Sequence, residues 1–549
     1  MRQKALFTLC NISLLTFPIQ YDIDVQCWVS GSAVKVELWY RSETVSTEHA
    51  QNISSTFSRA VEAITDDPDQ RVGQLDLFSD HHKTQVWDWN GRYPDIVNVC
   101  LHDIISSQVV HRPQELAIVS WEREMTFQEL DTYSDRLALH LVSLGVAPEI
   151  HVLLCFEKSA LAIVAMLAVL KAGGVCVSID ASHPVHRLQR IINDTAPICC
   201  LISSLNGKLF EGEGLHRHVK HLVTVDQLLL DSVMPAEKTA RKPCASVRPD
   251  NAAFILFTSG STGTPKGIVH THSTVASSLH AHGNAMKIGT DSRTLQFSAF
   301  VFDVSITEIF MSLTRGGVLC IPSEDERMNN LESAIGRMSV NWAHLTPTVA
   351  SLLDPTKIST LKHMALAGEP LKKINVTEWA PRLELVNLYG PAECALATTL
   401  RVGLVKDDRT DNIGKAVGLL VWIVDPSNPD KLVAYWSSGR GASRGPNVAR
   451  EYLKDKERTI SSFIENPAWL KDEKTIPPRR FYRSGDLARY NGDGSIQILG
   501  RIDTQYVPPC LFLLLEVEFD DVARVHKLIQ QTESSCMGSV LSWVKSSIR

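Results

Sequence analysis

A chain of 549 residues allows three or four units of about 150 residues each, and its 44% hydrophobic and 21% charged content is that of a folded globular protein. That excludes a disulfide-stapled miniature, a disordered chain and a collagen-like one. Lys and Arg total 55 against 61 Asp and Glu, a net charge of -6 without a basic run, which argues against a nucleic-acid partner, and the 12 cysteines include no CxxC pair, the usage of reduced core thiols.

In chain order, Arg2 and Lys4 precede the apolar stretch Ala5 to Phe17, which has the charge and length of a signal-peptide core. Thr8, Asn11, Ser13 and Thr16 interrupt it, and no small-x-small site precedes Tyr21, so the expectation is a cytoplasmic protein. The alternation Val34-Lys35-Val36-Glu37-Leu38 predicts a strand, and Glu48 to Ile64 a helix after it. Thr126 and Glu129 form a capping box, followed at helical spacing by Leu130, Tyr133, Leu137, Leu141 and Leu144 until Gly145. His151 to Phe156 then reads as a strand, Ala160 to Lys171 as a helix, and Val175 to Ile179 as a second strand, a βαβ unit. The apolar run Ala160 to Leu170 falls short of the roughly 20 residues that span a bilayer, so no membrane segment is expected. The same alternation returns at Phe254 to Phe257, Thr294 to Phe297, Ile306 to Thr314, Val318 to Ile321, Met364 to Ala367 and Leu383 to Leu388. This predicts an α/β fold of parallel sheets covered by helices, with ligands at the carboxyl ends of the strands.

Directly after Phe254 to Phe257 comes Thr258-Ser259-Gly260-Ser261-Thr262-Gly263-Thr264-Pro265-Lys266-Gly267. Glycines that let the backbone approach a polyanion, five hydroxyl donors and one lysine make a phosphate-gripping loop. It is not a Walker loop, because Pro265 stands where the second glycine would precede Lys266.

That loop resembles the signature of the adenylate-forming enzymes, the superfamily of acyl-CoA synthetases, luciferases and the amino-acid-activating domains of nonribosomal peptide synthetases. Met125-Thr126-Phe127-Gln128-Glu129-Leu130, Leu170-Lys171-Ala172-Gly173-Gly174, Phe302-Asp303-Val304-Ser305, Asn387-Leu388-Tyr389-Gly390-Pro391-Ala392-Glu393, Tyr482-Arg483-Ser484-Gly485-Asp486-Leu487 and Gly500-Arg501-Ile502-Asp503 follow in order and resemble the peptide-synthetase branch. The resemblance implies a large multi-sheet adenylation core at 95–498 with a small β subdomain, and a truncated, degenerate C-terminal lid at 499–549. It likewise implies a condensation-domain remnant at 1–66 and a linker at 67–94. The pair His81-His82 is a decoy, since Val86-Trp87 stands where the condensation motif needs Asp-Gly.

The cofactors implied are ATP and Mg2+. Lys266, Thr262 and Glu393 are the expected catalytic residues, Glu393 also holding the magnesium through the triphosphate. Thr258, Ser259, Gly260, Ser261, Gly263, Thr264, Gly267, Gly368, Glu369, Tyr389, Gly390, Asp486 and Arg501 complete the expected nucleotide site. A flat ring suits adenine and a carboxylate suits the ribose hydroxyls, roles that match Tyr389 and Asp486. Asp303 matches the aspartate that pairs with a substrate α-ammonium, since a buried carboxylate needs a cationic partner. Val304, Thr307, His344, Ala365, Ala367, Leu388, Leu396 and Ala397 would line the side-chain pocket. That lining is mostly apolar and suggests a neutral amino acid, with His344 equally readable as a core histidine. Asp503 matches the hinge between core and lid.

Three departures stand out. The run Ala434 to Gly445 has no strand alternation where the family has a strand, which predicts a weak, protease-sensitive sheet edge. Synonymous codons exist for this run and Pro446 such that dropping one base gives Pro-Ile-Gly-Ala-Val-Gly-Glu-Val-Leu-Leu-Glu-Gly, the family's pattern, so two compensating frame changes are a hypothesis for it. After Gln505 the expected hinge sequence is replaced, and neither the lid's Asn-Gly-Lys motif nor a Gly-Gly-x-Ser phosphopantetheine site is present. The expected activity is therefore ATP-dependent formation of aminoacyl-AMP, with release of pyrophosphate, for a carrier domain supplied elsewhere. The competing readings are a catalytically weak nucleotide-binding remnant or mis-predicted gene fragment, and an acyl-CoA ligase, against which Asp303 argues.

Overall fold

The structure, a computed structural model, describes residues 7–14, 22–30, 33–71, 75–212, 214–232, 246–259, 265–434, 437–470 and 480–502. At the amino end the strand Ala33–Tyr40 lies between Phe7–Leu14 and Ile23–Ser30, so part of the signal-like apolar stretch is a strand of a small sheet. Val36, Leu38 and Tyr40 alternate to one buried face, and Leu38 and Tyr40 pack with Ala50 of the helix Thr47–Asp66. In the helix Asp80–Trp89, His82 completes a capping box with Ser79, and its Nε2 lies 3.4 Å from Thr56 Oγ1 of the preceding helix. Burial, helped by neighbouring His81, holds the His82 pKa down to about 4, so this imidazole is a neutral clasp between two helices. The segment read as a linker is itself packed: Trp89 meets the Tyr490 ring at 4.9 Å, and Asn90 Oδ1 accepts from the Val421 amide at 2.9 Å.

The predicted βαβ unit sits in a seven-stranded sheet ordered Glu451–Tyr452, Pro265–Thr271, Ala252–Ser259, Val175–Ser178, His151–Cys155, Cys199–Ile202, His221–Thr224. Its strands run parallel except at Pro265–Thr271, which is antiparallel to both neighbours. The helix Phe127–Ser143 starts at the Thr126–Glu129 capping box, and the helix Ala160–Lys171 is buried along nearly all its length. Lys171 is only 4% exposed and pairs with Asp131 and Asp135, each at 2.6 Å, which gives the Leu170-Lys171-Ala172-Gly173-Gly174 motif a structural role. No helix among the described residues is long and apolar enough to cross a membrane. Seven described cysteines are buried thiols, and burial pushes Cys155 and Cys320 up to about 12.

The largest sheet, of 14 strands, has a parallel centre ordered Glu384–Tyr389, His363–Leu366, Trp342–Leu345, Arg293–Leu295, Val318–Ile321, Leu116–Ser120. Beyond Glu384–Tyr389 the pairing turns antiparallel through Thr399–Val402 and Asn412–Ala416 into the small β subdomain. The fold is therefore α/β with mixed sheets rather than purely parallel ones, and the Ile306 to Thr314 run belongs to a helix, Asp303–Thr314.

Over Gly439–Arg444 the expectation of a broken edge at 434–445 is overturned. Gly439–Arg444 is a strand paired on both sides, with Leu420–Val424 and with Arg480–Tyr490, so its backbone groups are satisfied by two neighbours instead of exposed at an edge. A Cβ at Gly439 would collide with the Val424 carbonyl, which explains a glycine where alternation would ask for a larger residue. Tyr435 and Trp436 lie outside the described residues. Met1–Ile502 forms one unit, and 503–549, a second, also lies outside them, as does the expected hinge Asp503.

Candidate active site

The two ends of the phosphate-loop signature lie on antiparallel strands, with Thr258 opposite Lys266 and Phe257 opposite Gly267. Gly260, Ser261, Thr262, Gly263 and Thr264 lie outside the described residues, and Ser259 is described in its backbone alone. Thr258 Oγ1 is buried without a hydrogen-bond partner among the described residues, and Gly267 packs where a Cβ would press on Ile255 and Phe257 at 3.1 Å. Lys266 Nζ reaches Glu393 Oε1 at 2.6 Å, and the same oxygen accepts from the Tyr452 hydroxyl at 2.7 Å. Burial would raise the Glu393 pKa, but the Lys266 charge and the two hydrogen bonds outweigh it and hold the group below its ordinary value, ionised. A carboxylate of this kind fits a hard cation, which takes oxygen ligands.

The turn carrying Glu393 is tightly determined. Gly390 passes so close to Ala397 that a Cβ would lie 2.5 Å from its Cα, and Ala395 and Leu396 take left-handed φ values of 44° and 92°. Strain of this kind persists only where the surroundings enforce it. Here His270 Nε2 donates to the Ala392 carbonyl at 2.9 Å, the Ala449 amide to the Glu393 carbonyl at 2.8 Å, and Asn447 Nδ2 to the Ala397 carbonyl at 3.3 Å.

Tyr389 ends its strand at the carboxyl edge of the parallel sheet and donates its hydroxyl to Asp486 Oδ2, while Arg501 Nη1 donates to Asp486 Oδ1 at 3.1 Å. Asp486 and Arg501 are opposite residues of paired strands, so the register itself makes this contact. Tyr389, Thr399, Ser443, Ser484 and Asp486 border a cavity of about 20 Å³, room for one water. Gly368, at φ 82°, turns the chain ahead of Glu369, whose Oε2 accepts from the Thr348 amide at 3.0 Å.

Asp303 opens its helix, and its Oδ1 accepts from the Val304 amide at 2.9 Å. Burial raises its pKa to about 6, the Val304 amide opposes the rise, and the Glu393 charge adds to it. Among the described residues no cation pairs with it. Ala365, Ala367, Leu388, Leu396 and Ala397 share one buried cluster with Val304 packed against it. Thr307 is buried one turn beyond Asp303, and His344 is buried opposite Ala365 on the neighbouring strand. The structure thus brings the expected pocket residues to one face of the parallel sheet.

A family model described as AMP-binding enzyme matches residues 105–453. The chain belongs to the AMP-binding enzyme family. This AMP-binding enzyme is 41% identical over 485 residues to nonribosomal peptide synthetase atnA of Emericella nidulans, covering 88% of this chain and 7% of that protein. It is 40% identical over 491 residues to nonribosomal peptide synthetase 4 of Gibberella zeae, covering 89% of this chain and 6% of that protein. The chain therefore spans less than a tenth of the length of these two relatives. The nonribosomal peptide synthetase FmoA3 in its AMPPNP-bound form shares the fold at a TM-score of 0.72 and 22% identity, covering 89% of this chain and 52% of that one.

Sequence reasoning missed two parts of the candidate site of this AMP-binding enzyme. Tyr452, from a short strand far along the chain, shares Glu393 with Lys266 and carries no local signal of that role. The second part is a buried network under the loop that leads to Asp303. Lys158 Nζ donates to Gln296 Oε1 at 2.9 Å and to the Ser298 carbonyl at 2.7 Å, and Glu308 accepts from Gln296 Nε2 at 3.0 Å and from the amides of Phe297 and Ser298. Burial outweighs Lys158 and these donors and raises the Glu308 pKa to about 7.

Proposed function

We propose that this chain activates a neutral amino acid of mainly apolar side chain as aminoacyl-AMP, with release of pyrophosphate, in nonribosomal peptide biosynthesis. Asp303 carries this reading: it is a half-buried carboxylate with no cationic partner among the described residues, on the helix that packs against an apolar cluster. A substrate ammonium supplies that partner.

The reaction is attack of the substrate carboxylate on the α-phosphate of ATP, so the protein contributes positioning and charge neutralisation and needs no nucleophile. Thr258, Ser259, Gly260, Ser261, Thr262, Gly263, Thr264 and Gly267 grip the phosphates, and Lys266 neutralises developing charge. Tyr389 and Gly390 border the base, Asp486 braced by Arg501 takes the ribose hydroxyls, and Gly368 and Glu369 complete the nucleotide wall. Glu393 would hold the magnesium ion that screens the triphosphate when bound. Asp503 serves as the hinge toward a lid. A carrier domain supplied elsewhere takes the product, and neither nucleic acid nor membrane takes part.

Amino-acid-dependent exchange of labelled pyrophosphate into ATP tests the reading. Exchange with neutral amino acids that Asp303→Ala abolishes supports it. Absence of exchange across the amino acids despite ATP binding favours a nucleotide-binding remnant, and exchange with acyl acids alone favours an acyl-CoA ligase.

A further inference from the structure

We propose that Tyr452 is a positioning residue of this site: its hydroxyl is the contact that stays on Glu393 when Lys266 leaves for the phosphates of ATP, and so sets how readily the lysine is released. The proposal rests on the ATP-binding part of the function above. Three side chains meet at one oxygen. The Tyr452 hydroxyl donates to Glu393 Oε1 at 2.7 Å, and Lys266 Nζ donates to the same atom at 2.6 Å while lying 3.4 Å from the Tyr452 oxygen. A phenol donates one hydrogen bond and accepts another, so Tyr452 bridges the two charges. Lys266 Nζ also lies 5.0 Å from the centre of the Tyr452 ring, within reach of a cation–π contact. Tyr482 faces the same carboxylate from the strand Arg480–Tyr490, but among the described residues Tyr452 alone hydrogen-bonds to both members of the pair.

The backbone fixes this phenol independently of the lysine. Tyr452 is buried and lies opposite Ile268 on the strand Pro265–Thr271, the strand that carries Lys266. The Leu453 amide donates to the Gly267 carbonyl at 2.7 Å, the Tyr452 amide donates to Thr459 Oγ1 at 3.1 Å, and the Tyr452 ring packs against Phe463 at 5.5 Å. None of these contacts involves the lysine side chain, so its departure leaves the hydroxyl where it is. A carboxylate as deeply buried as Glu393 is strongly disfavoured once its counter-charge leaves, and a donor that remains on it offsets part of that cost. The more firmly Tyr452 holds Glu393, the more easily a polyanion draws Lys266 away.

The test is fluorescence titration of a non-hydrolysable ATP analogue, with a chelator present so that no divalent cation stands in for Lys266 at Glu393. It is run on the full chain and on Tyr452→Phe, Lys266→Met, the double variant and Phe463→Leu, alongside the Tm of each and both KM values in pyrophosphate exchange. Tyr452→Phe keeps the ring and its packing and removes only the hydroxyl. It should weaken the analogue by about tenfold and raise KM for ATP but not for the amino acid. In the Lys266→Met background the same change should have no effect, because no lysine is left to release. Phe463→Leu, which disturbs the packing beside the ring, should lower the Tm and leave the affinity unchanged. Unchanged affinity in Tyr452→Phe overturns the proposal, as does an equal loss with and without Lys266→Met. A Phe463→Leu protein that loses as much affinity as Tyr452→Phe also overturns it, since packing around the ring would then be what matters. A wild type that does not bind the analogue overturns the ATP-binding reading and this proposal with it. A wild type that binds it but exchanges with no amino acid overturns only the amino-acid reading, and the titrations still decide the role of Tyr452.

Discussion

Lys266 and Glu393, 127 residues apart in sequence, form an ion pair at 2.6 Å in which the carboxylate is almost fully buried. The pair ties the strand Pro265–Thr271 to the turn after Tyr389. It also keeps the lysine charge neutralised until a polyanion competes for it.

Removing one member alone exposes the coupling. Lys266→Met leaves Glu393 buried and unpaired, a loss of about 3 kcal/mol, and lowers pyrophosphate exchange by about 100-fold. Glu393 titrates below its ordinary value of 4.5 in the folded protein, so its contribution to stability is present above pH 4.5 and is lost as the pH falls below it. Denaturant titrations from pH 3 to 7 should show that dependence flattened in Glu393→Gln. An unchanged pH profile in that variant would contradict the ion-pair assignment.

Asp486 offers a second test. Two donors, Tyr389 and Arg501, hold its carboxylate in one orientation. Loss of a charge-assisted hydrogen bond is worth about 1.5–3 kcal/mol, so Asp486→Asn should weaken binding of an ATP analogue by about tenfold or more. Tyr389→Phe should weaken it less, since the ring remains. Equal affinities in fluorescence titration would remove Asp486 from the nucleotide site.

Glu308 predicts the opposite pH dependence. Its folded pKa is raised from 4.5 to about 7, so its contribution is fully present below pH 4.5 and is lost as the pH rises toward 7. The wild-type Tm should therefore fall across this window relative to that of Glu308→Gln. Because Glu308 braces the loop before Asp303, Glu308→Ala should also raise KM for the amino acid more than KM for ATP. Equal changes in the two constants would indicate a general loss of structure.

The strand Gly439–Arg444 should be among the protected parts of the small β subdomain. Its amides should exchange slowly with deuterium, and Gly439→Val should abolish that protection by forcing a side chain against the Val424 carbonyl. Early proteolysis inside this strand would contradict the pairing. Gly439 and Gly445, where a Cβ has no room, are glycine in both the present reading and the shifted one. Genomic codons that cannot be shifted by one base would dispose of the frame hypothesis.

Local order was readable from residues close together in the chain. Thr126 and Glu129 announced the helix Phe127–Ser143 because a capping box closes within three residues, and the run Val318 to Ile321 announced its strand because a buried strand needs little beyond apolar residues. The motifs likewise pointed to Lys266, Asp303, Tyr389, Glu393 and Asp486 one at a time. What the linear pattern could not show was which of them meet. Gln296 and Lys158 lie 138 residues apart, and nothing near either foretells a buried hydrogen bond. Gly439–Arg444 lacked alternation because a strand held from both sides draws its stability from backbone hydrogen bonds, which leave no mark on side-chain pattern. His344 could be read either way from sequence alone. Only the packing around it showed an imidazole buried with both nitrogens unpartnered among the described residues, since burial and hydrogen bonding at one residue are decided by chain segments far from it.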